Sequence, residues 1–230
     1  MERCLLVSDV GVSMRDERIL KDISFQVNAG QITALIGHNG AGKSTVMKTI
    51  MGWQKKSKGK IMIQDKDLDE DYLAYKRLYS YIPEEPMLLS ELTVYQHFQL
   101  YGKSYRIDEN ALNQKVDRLV YRFDIEDKMN EYPEALSKGM RQKVQSICAL
   151  LPDVPLLLID EPFMGLDVYS VDELLDELKE RKKKGTAILI TSHQLDKIKD
   201  ISDEYVMLRD GHVYESGKID RLAELKRRKS

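Results

Sequence analysis

Gly37-His38-Asn39-Gly40-Ala41-Gly42-Lys43-Ser44-Thr45 follows the apolar run Ile32 to Ile36 and leads into residues able to wind a helix. The stretch fits G-x-x-x-x-G-K-[ST]. In such a loop the glycines let backbone N–H groups close around phosphates, the lysine reaches the β- and γ-phosphates, and the serine hydroxyl reaches Mg²⁺. A strand before the motif and a helix after it supply the expected setting, and the N-terminus of that helix presents partial positive charge to the same anion. The expected ligand shell therefore runs over Gly37, His38, Asn39, Gly40, Ala41, Gly42, Lys43, Ser44 and Thr45.

The 230 residues suffice for one large domain with an inserted subdomain, and 42% hydrophobic with 32% charged residues fits a globular chain. A formal net charge of −2 supplies no basic footprint, so no nucleic-acid partner is expected. The two cysteines, Cys4 and Cys148, offer neither a disulfide framework nor metal-ligand spacing and read as buried reduced thiols in a cytosolic protein. No run approaches the roughly 18 apolar residues of a membrane span, and the N-terminus lacks a basic region followed by an apolar stretch. The expectation is a chain that does not enter a membrane by itself.

Outward from the phosphate loop, residues 3–14 and 18–27 read as two strands separated by Arg15-Asp16-Glu17. Met51-Gly52 ends the helix after the loop, Lys55 to Gly59 forms a basic solvated turn, and short strands are expected at 60–64 and 78–82. From Leu88 to Leu151 the apolar period changes from two to 3.6. Leu112, Val116, Leu119, Val120 and Phe123 follow a candidate Asp108 N-cap, and Met140, Val144, Ile147, Cys148 and Leu151 repeat the spacing. The α/β pattern returns with a buried strand at 155–160, a helix through Val171, Leu174, Leu175 and Leu178 that Gly185 can cap, and a strand at 186–191. Asp210-Gly211 marks a hairpin, and 221–230 reads as a short terminal helix.

Asp160 ends an apolar strand, which places its carboxylate at the sheet edge where ligands bind in open α/β sheets. It is a candidate Mg²⁺ ligand, directly or through water. Glu161 is a candidate base for the water that attacks a γ-phosphate.

With these residues in place, the chain resembles the nucleotide-binding subunit of an ABC transporter over nearly its whole length. Leu136-Ser137-Lys138-Gly139-Met140 is similar to the family signature Leu-Ser-Gly-Gly-Gln. Asp160-Glu161-Pro162 resembles the Walker B end with its catalytic glutamate, Gly165-Leu166-Asp167 the D-loop, and Thr191-Ser192-His193 the switch histidine. Glu84 occupies the place of the usual Q-loop glutamine, Met14 that of an aromatic that stacks on adenine, and Lys138 and Met140 replace a glycine and the glutamine of the signature. The local variants around 82–84, 137–143 and 159–167 look most like the Ecs-type exporters of Gram-positive bacteria, whose relatives export peptides.

The resemblance implies a P-loop NTPase (RecA-like) α/β core with an N-terminal antiparallel β subdomain and an inserted α-helical subdomain. Residues 1–86 and 152–230 would form the core and 87–151 the helical part. It implies ATP and Mg²⁺, with Lys43, Glu161 and His193 in catalysis and Ser44, Glu84 and Asp160 at the metal. Met14 would lie at the base. Ser137, Gly139 and Asp167 would face the nucleotide of a second copy, so that ATP bridges two subunits head to tail. Separate integral membrane subunits would carry the cargo, with this chain on the cytoplasmic side of the membrane. A soluble ABC ATPase of translation or DNA repair is the alternative, though those relatives typically join two ATPase units or insert a long coiled coil, and neither is present. A module that binds ATP without turnover is a further alternative, against which Glu161 and His193 argue.

Overall fold

The computed structural model describes residues 2–15, 17–192 and 194–222. Two long strands, β1 (Arg3–Met14) and β2 (Glu17–Asn28), form the expected antiparallel pair, with Met14 opposite Glu17 at the turn. They are joined by β4 (Lys58–Ile63) and β5 (Lys66–Asp67) in a four-stranded sheet of order β2-β1-β4-β5. The basic stretch at 55–59 is thus only partly a turn. Lys58 and Gly59 belong to β4, Lys58 pairs with Asp22, and Lys56 with Asp69. Strand pairing with Gly11 and Ser8 of β1 outweighs the turn preference that charge and glycine suggest.

The second sheet contains β3 (Ile32–Ile36), β6 (Tyr79–Ile82), β7 (Leu156–Asp160), β8 (Ala187–Thr191), β9 (Glu204–Arg209) and β10 (His212–Lys218), in the order β10-β9-β3-β8-β7-β6. Strands β9, β3, β8, β7 and β6 are mutually parallel, and β10 closes the edge as the antiparallel arm of the Asp210-Gly211 hairpin. Every residue of β3, β7 and β8 is buried, as continuous apolar runs in a doubly covered sheet require.

Alternation along these strands feeds two apolar clusters. Ile32, Ala34, Leu157, Ile159, Ile188 and Ile190 face one cluster, and Leu35, Leu156, Leu158 and Leu189 face the other. Against the second lie α1 (Lys43–Ile50) and the antiparallel sheet. Against the first lie α3 (Val94–Ser104), α4 (Glu109–Arg122), α5 (Lys138–Leu150), α6 (Val168–Lys183) and α7 (Leu195–Lys199); the five-residue α2 (Tyr72–Lys76) precedes β6. The helical stretch therefore packs on the sheet through one continuous core.

Side chains stop and start these helices. Thr93 and Gln96 form a reciprocal capping box on α3, Asp108 caps α4, Ser137 caps α5 and Asp167 caps α6. The last turn of α6 carries Arg181, Lys182 and Lys183, which suits the negative end of the helix dipole. Glu177 of α6 is 2% exposed and accepts from Arg118 at 2.7 and 3.1 Å, Arg122 at 2.8 Å and Arg181 at 3.0 Å, tying α4 to α6. Of the expected terminal helix, Ile219–Arg221 forms a 3-10 turn and Leu222 continues it; the rest lies outside the described residues.

Candidate functional site

The register of the parallel strands assembles the site. Leu35 of β3, Thr191 of β8 and Asp160 of β7 lie in one cross-sheet row, and Ile82 of β6 pairs with Ile159 one step behind. The phosphate loop, the segment after Ser192, Glu161 and the loop that carries Glu84 therefore all leave the sheet at its C-terminal edge, although they are far apart in the chain. His193 itself lies outside the described residues.

At the loop, Gly42 precedes α1 in the left-handed region with φ of 105°, and no side chain caps the helix. The first-turn N–H groups are thus left for an outside acceptor, and no acidic residue occupies that turn to compete. His38, Asn39, Gly40 and Ser44 are exposed, whereas Ala41 is buried under the loop. Lys43 is 9% exposed, and its Nζ donates to the carbonyls of Gly37 at 2.9 Å and His38 at 3.3 Å. A phosphate oxygen is a stronger, charge-assisted acceptor than either carbonyl, so the ammonium can exchange partners when an anion enters. His38 Nε2 lies 3.6 Å from Asp210 on the β9–β10 hairpin. That hairpin also supports the loop from outside, because Gly211 N–H donates to the Ala41 carbonyl. Thr45, in the first turn of α1, accepts at its carbonyl from Thr49 Oγ1 and continues the helix.

Asp160 is 6% exposed, and one carboxylate oxygen accepts a short hydrogen bond from the Thr191 hydroxyl. Its other oxygen faces the Tyr81 hydroxyl at 3.5 Å. Burial and the Asp160 and Glu84 charges push the Tyr81 phenol upward, so it stays a neutral donor. Glu161 follows at 7% exposure with φ of 46°, a left-handed conformation unusual for a residue of its type. Its N–H donates to Thr191 at both the carbonyl and the hydroxyl, each at 3.2 Å, which holds the strained turn. Strain maintained by neighbouring contacts is characteristic of functional sites.

Ser44 and Asp160 offer hard oxygen donors suited to Mg²⁺, and Glu84 is exposed with room to approach. Among the described residues no group of three or more His, Cys, Asp and Glu forms a ready-made cage. This donor set fits a cation that takes its remaining ligands from phosphates and water, the usual habit of Mg²⁺ at nucleotide sites.

The other expected residues sit on elements flanking this edge. Ser137 is exposed, and its Oγ accepts from Met140 N–H at 3.2 Å. Gly139 touches the D-loop: a Cβ built there would stand 2.5 Å from the Gly165 carbonyl oxygen. Asp167 accepts from Ser170 N–H at 2.9 Å and pairs with Lys143 of α5 at 3.1 Å. The Ser170 backbone and hydroxyl, aided by Lys143, hold its carboxyl down at about 2. Met14 is 47% exposed at the end of β1, while Leu20 of the partner strand packs under Gly42.

The contacts of several contributors escape sequence reading. Thr191 enters the sequence reading as a strand end and as part of the Thr191-Ser192-His193 likeness, and its hold on Asp160 depends on strand register. Gln142 and Lys143 enter the sequence reading only as members of the 137–143 variant and Gln145 not at all; the fold brings all three against distant loops.

Comparison with known proteins completes this picture. The family model described as ABC transporter matches residues 20–164. The chain is 36% identical to the ABC-type transporter ATP-binding protein EcsA of Bacillus subtilis over 96% of this chain and 89% of that protein. It superposes with a TM-score of 0.93 and 37% identity on a solved ATP-binding subunit of an ABC transporter, covering 97% of this chain and 93% of the other. A dimeric post-hydrolysis state of the ATP-binding cassette MJ0796, bound to ADP and Pi, shares the fold with a TM-score of 0.83 at 21% identity, over 94% and 98% of the two chains. A phosphate loop, a paired Asp-Glu strand end and a signature helix on one sheet edge, together with these likenesses, place the chain in the ABC transporter family as an ATP-binding subunit with ATPase activity.

Proposed function

We propose that this chain hydrolyses ATP at the C-terminal edge of its six-stranded sheet and uses the cycle to drive transport through separate membrane subunits. The observation that carries the reading is the row Leu35, Thr191 and Asp160, with Ile82 and Ile159 behind it, which brings four loops to one edge of the sheet. Lys43 leaves the Gly37 and His38 carbonyls for the β- and γ-phosphates, and the open N–H groups of α1 take the remaining oxygens. Ser44 and Asp160, with Glu84 from the loop after β6, would hold Mg²⁺, which would supply charge neutralisation for the phosphates.

Glu161 orients the attacking water and accepts its proton as the new oxygen–phosphorus bond forms and the bond to the β-phosphate oxygen breaks, giving ADP and phosphate. The phosphoryl charge is met by Lys43 and, across the interface, by Ser137 and Gly139 of a second copy. Two copies thus clasp two nucleotides head to tail, with Asp167 at the same interface and His193 at the γ-phosphate. Met14 would pack against the adenine ring.

No helix among the described residues is long and apolar enough to cross a membrane; peripheral attachment at the cytoplasmic face is part of the proposal. The groove between residues 84–92 and the helices that follow, next to a pocket lined by Trp53, Tyr81, Pro83, Met87, Tyr101 and Tyr105, is the docking place for a cytoplasmic helix of the membrane subunit. The cargo path lies in that subunit; export, with peptides as cargo, is the direction the Ecs-type likeness favours. The division into a core of 1–86 and 152–230 and a moving helical part of 87–151 belongs to the same reading.

Steady-state phosphate release from the purified chain is the test. Lys43→Ala should weaken ATP binding, while Glu161→Gln should bind ATP, accumulate as a dimer and turn over at least ~100-fold more slowly. A Glu161→Gln protein that hydrolyses at the wild-type rate would remove Glu161 from its role.

A further inference from the structure

Helix α5 carries three polar side chains, Lys138, Gln142 and Gln145, at i, i+4 and i+7, so they share one face of the helix. All three hold the same short loop. Gln142 Nε2 donates to the Pro83 carbonyl at 3.1 Å, Lys138 Nζ pairs with Glu85 at 2.7 Å, and Gln145 Oε1 accepts from Met87 N–H at 2.9 Å. Gln145 also donates to the Tyr101 hydroxyl of α3 at 3.3 Å. The loop is therefore pinned at 83, 85 and 87, and Glu84 lies between pinned neighbours while making no hydrogen bond or ion pair among the described residues.

The cost of this arrangement argues that it does more than stabilise. Gln142 is fully buried, yet its Oε1 has no hydrogen-bond partner among the described residues, so the side chain bears a desolvation penalty that an aliphatic residue of similar size would avoid. Lys138 places a cation in the first turn of a helix, against the dipole, and Glu85 supplies the compensating charge. On a neighbouring face of α5, Gly139 and Lys143 contact Gly165 and Asp167, so one helix touches the loops leaving both β6 and β7.

We propose that Lys138, Gln142 and Gln145 are positioning residues that join the Glu84 loop to the start of α5, so that a displacement of Glu84 carries Ser137 and Gly139 with it. Within one subunit, the state of its own nucleotide then sets the placement of the groups offered to the other subunit's nucleotide. Glu85 is the specific partner that makes a lysine workable at position 138. This rests on the head-to-tail reading given above.

The experiment measures two quantities in a Glu161→Gln parent: ATP affinity at concentrations where the chain is monomeric, and Mg·ATP-driven dimerisation by analytical ultracentrifugation. Lys138→Glu and Glu85→Lys should each weaken the dimer about three- to tenfold, and the double reversal should restore it, with monomer ATP affinity unchanged within about threefold throughout. Both side chains of this pair are about half exposed or more, so these variants fold. Gln142→Met with Gln145→Met should also weaken the dimer by about tenfold at unchanged ATP affinity. A double reversal no tighter than Lys138→Glu alone would show that Lys138 acts on phosphate directly and would overturn the proposal, as would unchanged dimerisation in the glutamine variant. A parent that binds ATP but never dimerises sinks the head-to-tail reading and this inference together, whereas a dimerising parent with no rescue sinks only the inference.

Discussion

Replacing Glu177 by alanine tests the buried ionic hub that fastens α4 to α6. Three guanidinium groups converge on its carboxylate at 2.7 to 3.1 Å. Their dependence on it differs. Arg122 retains Glu173 at 2.7 Å and Glu180 at 3.1 Å, and the half-exposed Arg118 can turn to water. Arg181 is 6% exposed and, among the described residues, would keep hydrogen bonds only to the carbonyls of Leu150 and Pro152, with Asp153 as a carboxylate that acts on it without a direct bond. Breaking a buried pair costs about 3–5 kcal/mol, and with two of the three cations relieved the lower end applies, about 3 kcal/mol. For a chain of this size that lowers the melting temperature by roughly 6–12 °C.

The same hub shapes acid stability. Burial pushes the Glu177 carboxyl up, but Arg118, Arg181 and Arg122 outweigh it and leave the group below its ordinary value. A carboxyl depressed in the folded state binds its proton more readily when unfolded. Its contribution is thus fully present above the ordinary carboxylate pKa and is lost as pH falls through the lower folded value. Stability against urea, followed from pH 7 down to 3, should fall more steeply in wild type than in Glu177→Gln below about pH 4. A Glu177→Ala protein within about 1 kcal/mol of wild type at neutral pH would refute the hub, because surface pairs are worth no more than that.

Gly139→Ala would put a methyl group 2.5 Å from the Gly165 carbonyl oxygen; it should shift the D-loop, cost about 1–3 kcal/mol in thermal or urea unfolding and depress ATP turnover more than ATP binding. Asp167→Ala removes the cap of α6 and should cost about 1 kcal/mol, little of it from the half-exposed Lys143 pair, whereas Asp167→Asn keeps the cap. Because the Asp167 carboxyl is held down at about 2, its contribution is fully present above the ordinary carboxylate pKa and is lost progressively as pH falls from about 4 to 2; Asp167→Asn should flatten the acid limb of unfolding over that window. Cysteines at positions 88 to 92 should crosslink to a cytoplasmic helix of the membrane subunit in the native complex, and efficient capture only from the C-terminal surface would refute the groove assignment.

Much of this protein was legible in its residues. The spacing of Gly37, Gly42, Lys43 and Ser44 specifies a phosphate loop because backbone freedom, a cation and a hydroxyl are needed at those positions. Continuous apolar runs at 32–36, 156–159 and 187–190 require a sheet covered on both faces, and a terminal Asp160-Glu161 pair must then emerge at a strand end. Asp108 reveals a helix start because its side chain satisfies local N–H groups. These features share a short range: each side chain acts on backbone a few residues away or sets a period along one element.

What the tertiary structure alone decided is which distant pieces meet. Strand order β10-β9-β3-β8-β7-β6 has no counterpart in chain order, so the register that hands Asp160 to Thr191 could not be read from either residue. Lys58 and Gly59 of the basic stretch became strand because β1 offered hydrogen bonds that a turn could not match. Arg118, Arg122 and Glu177 meet only because α4 and α6 pack together, and Gln142 and Gln145 gain their loop partners only because Pro83 and Met87 come against them. Local propensity is encoded within a turn or two of the chain. A hydrogen bond or ion pair between elements acquires its partner only when burial of the apolar faces has fixed how those elements stack.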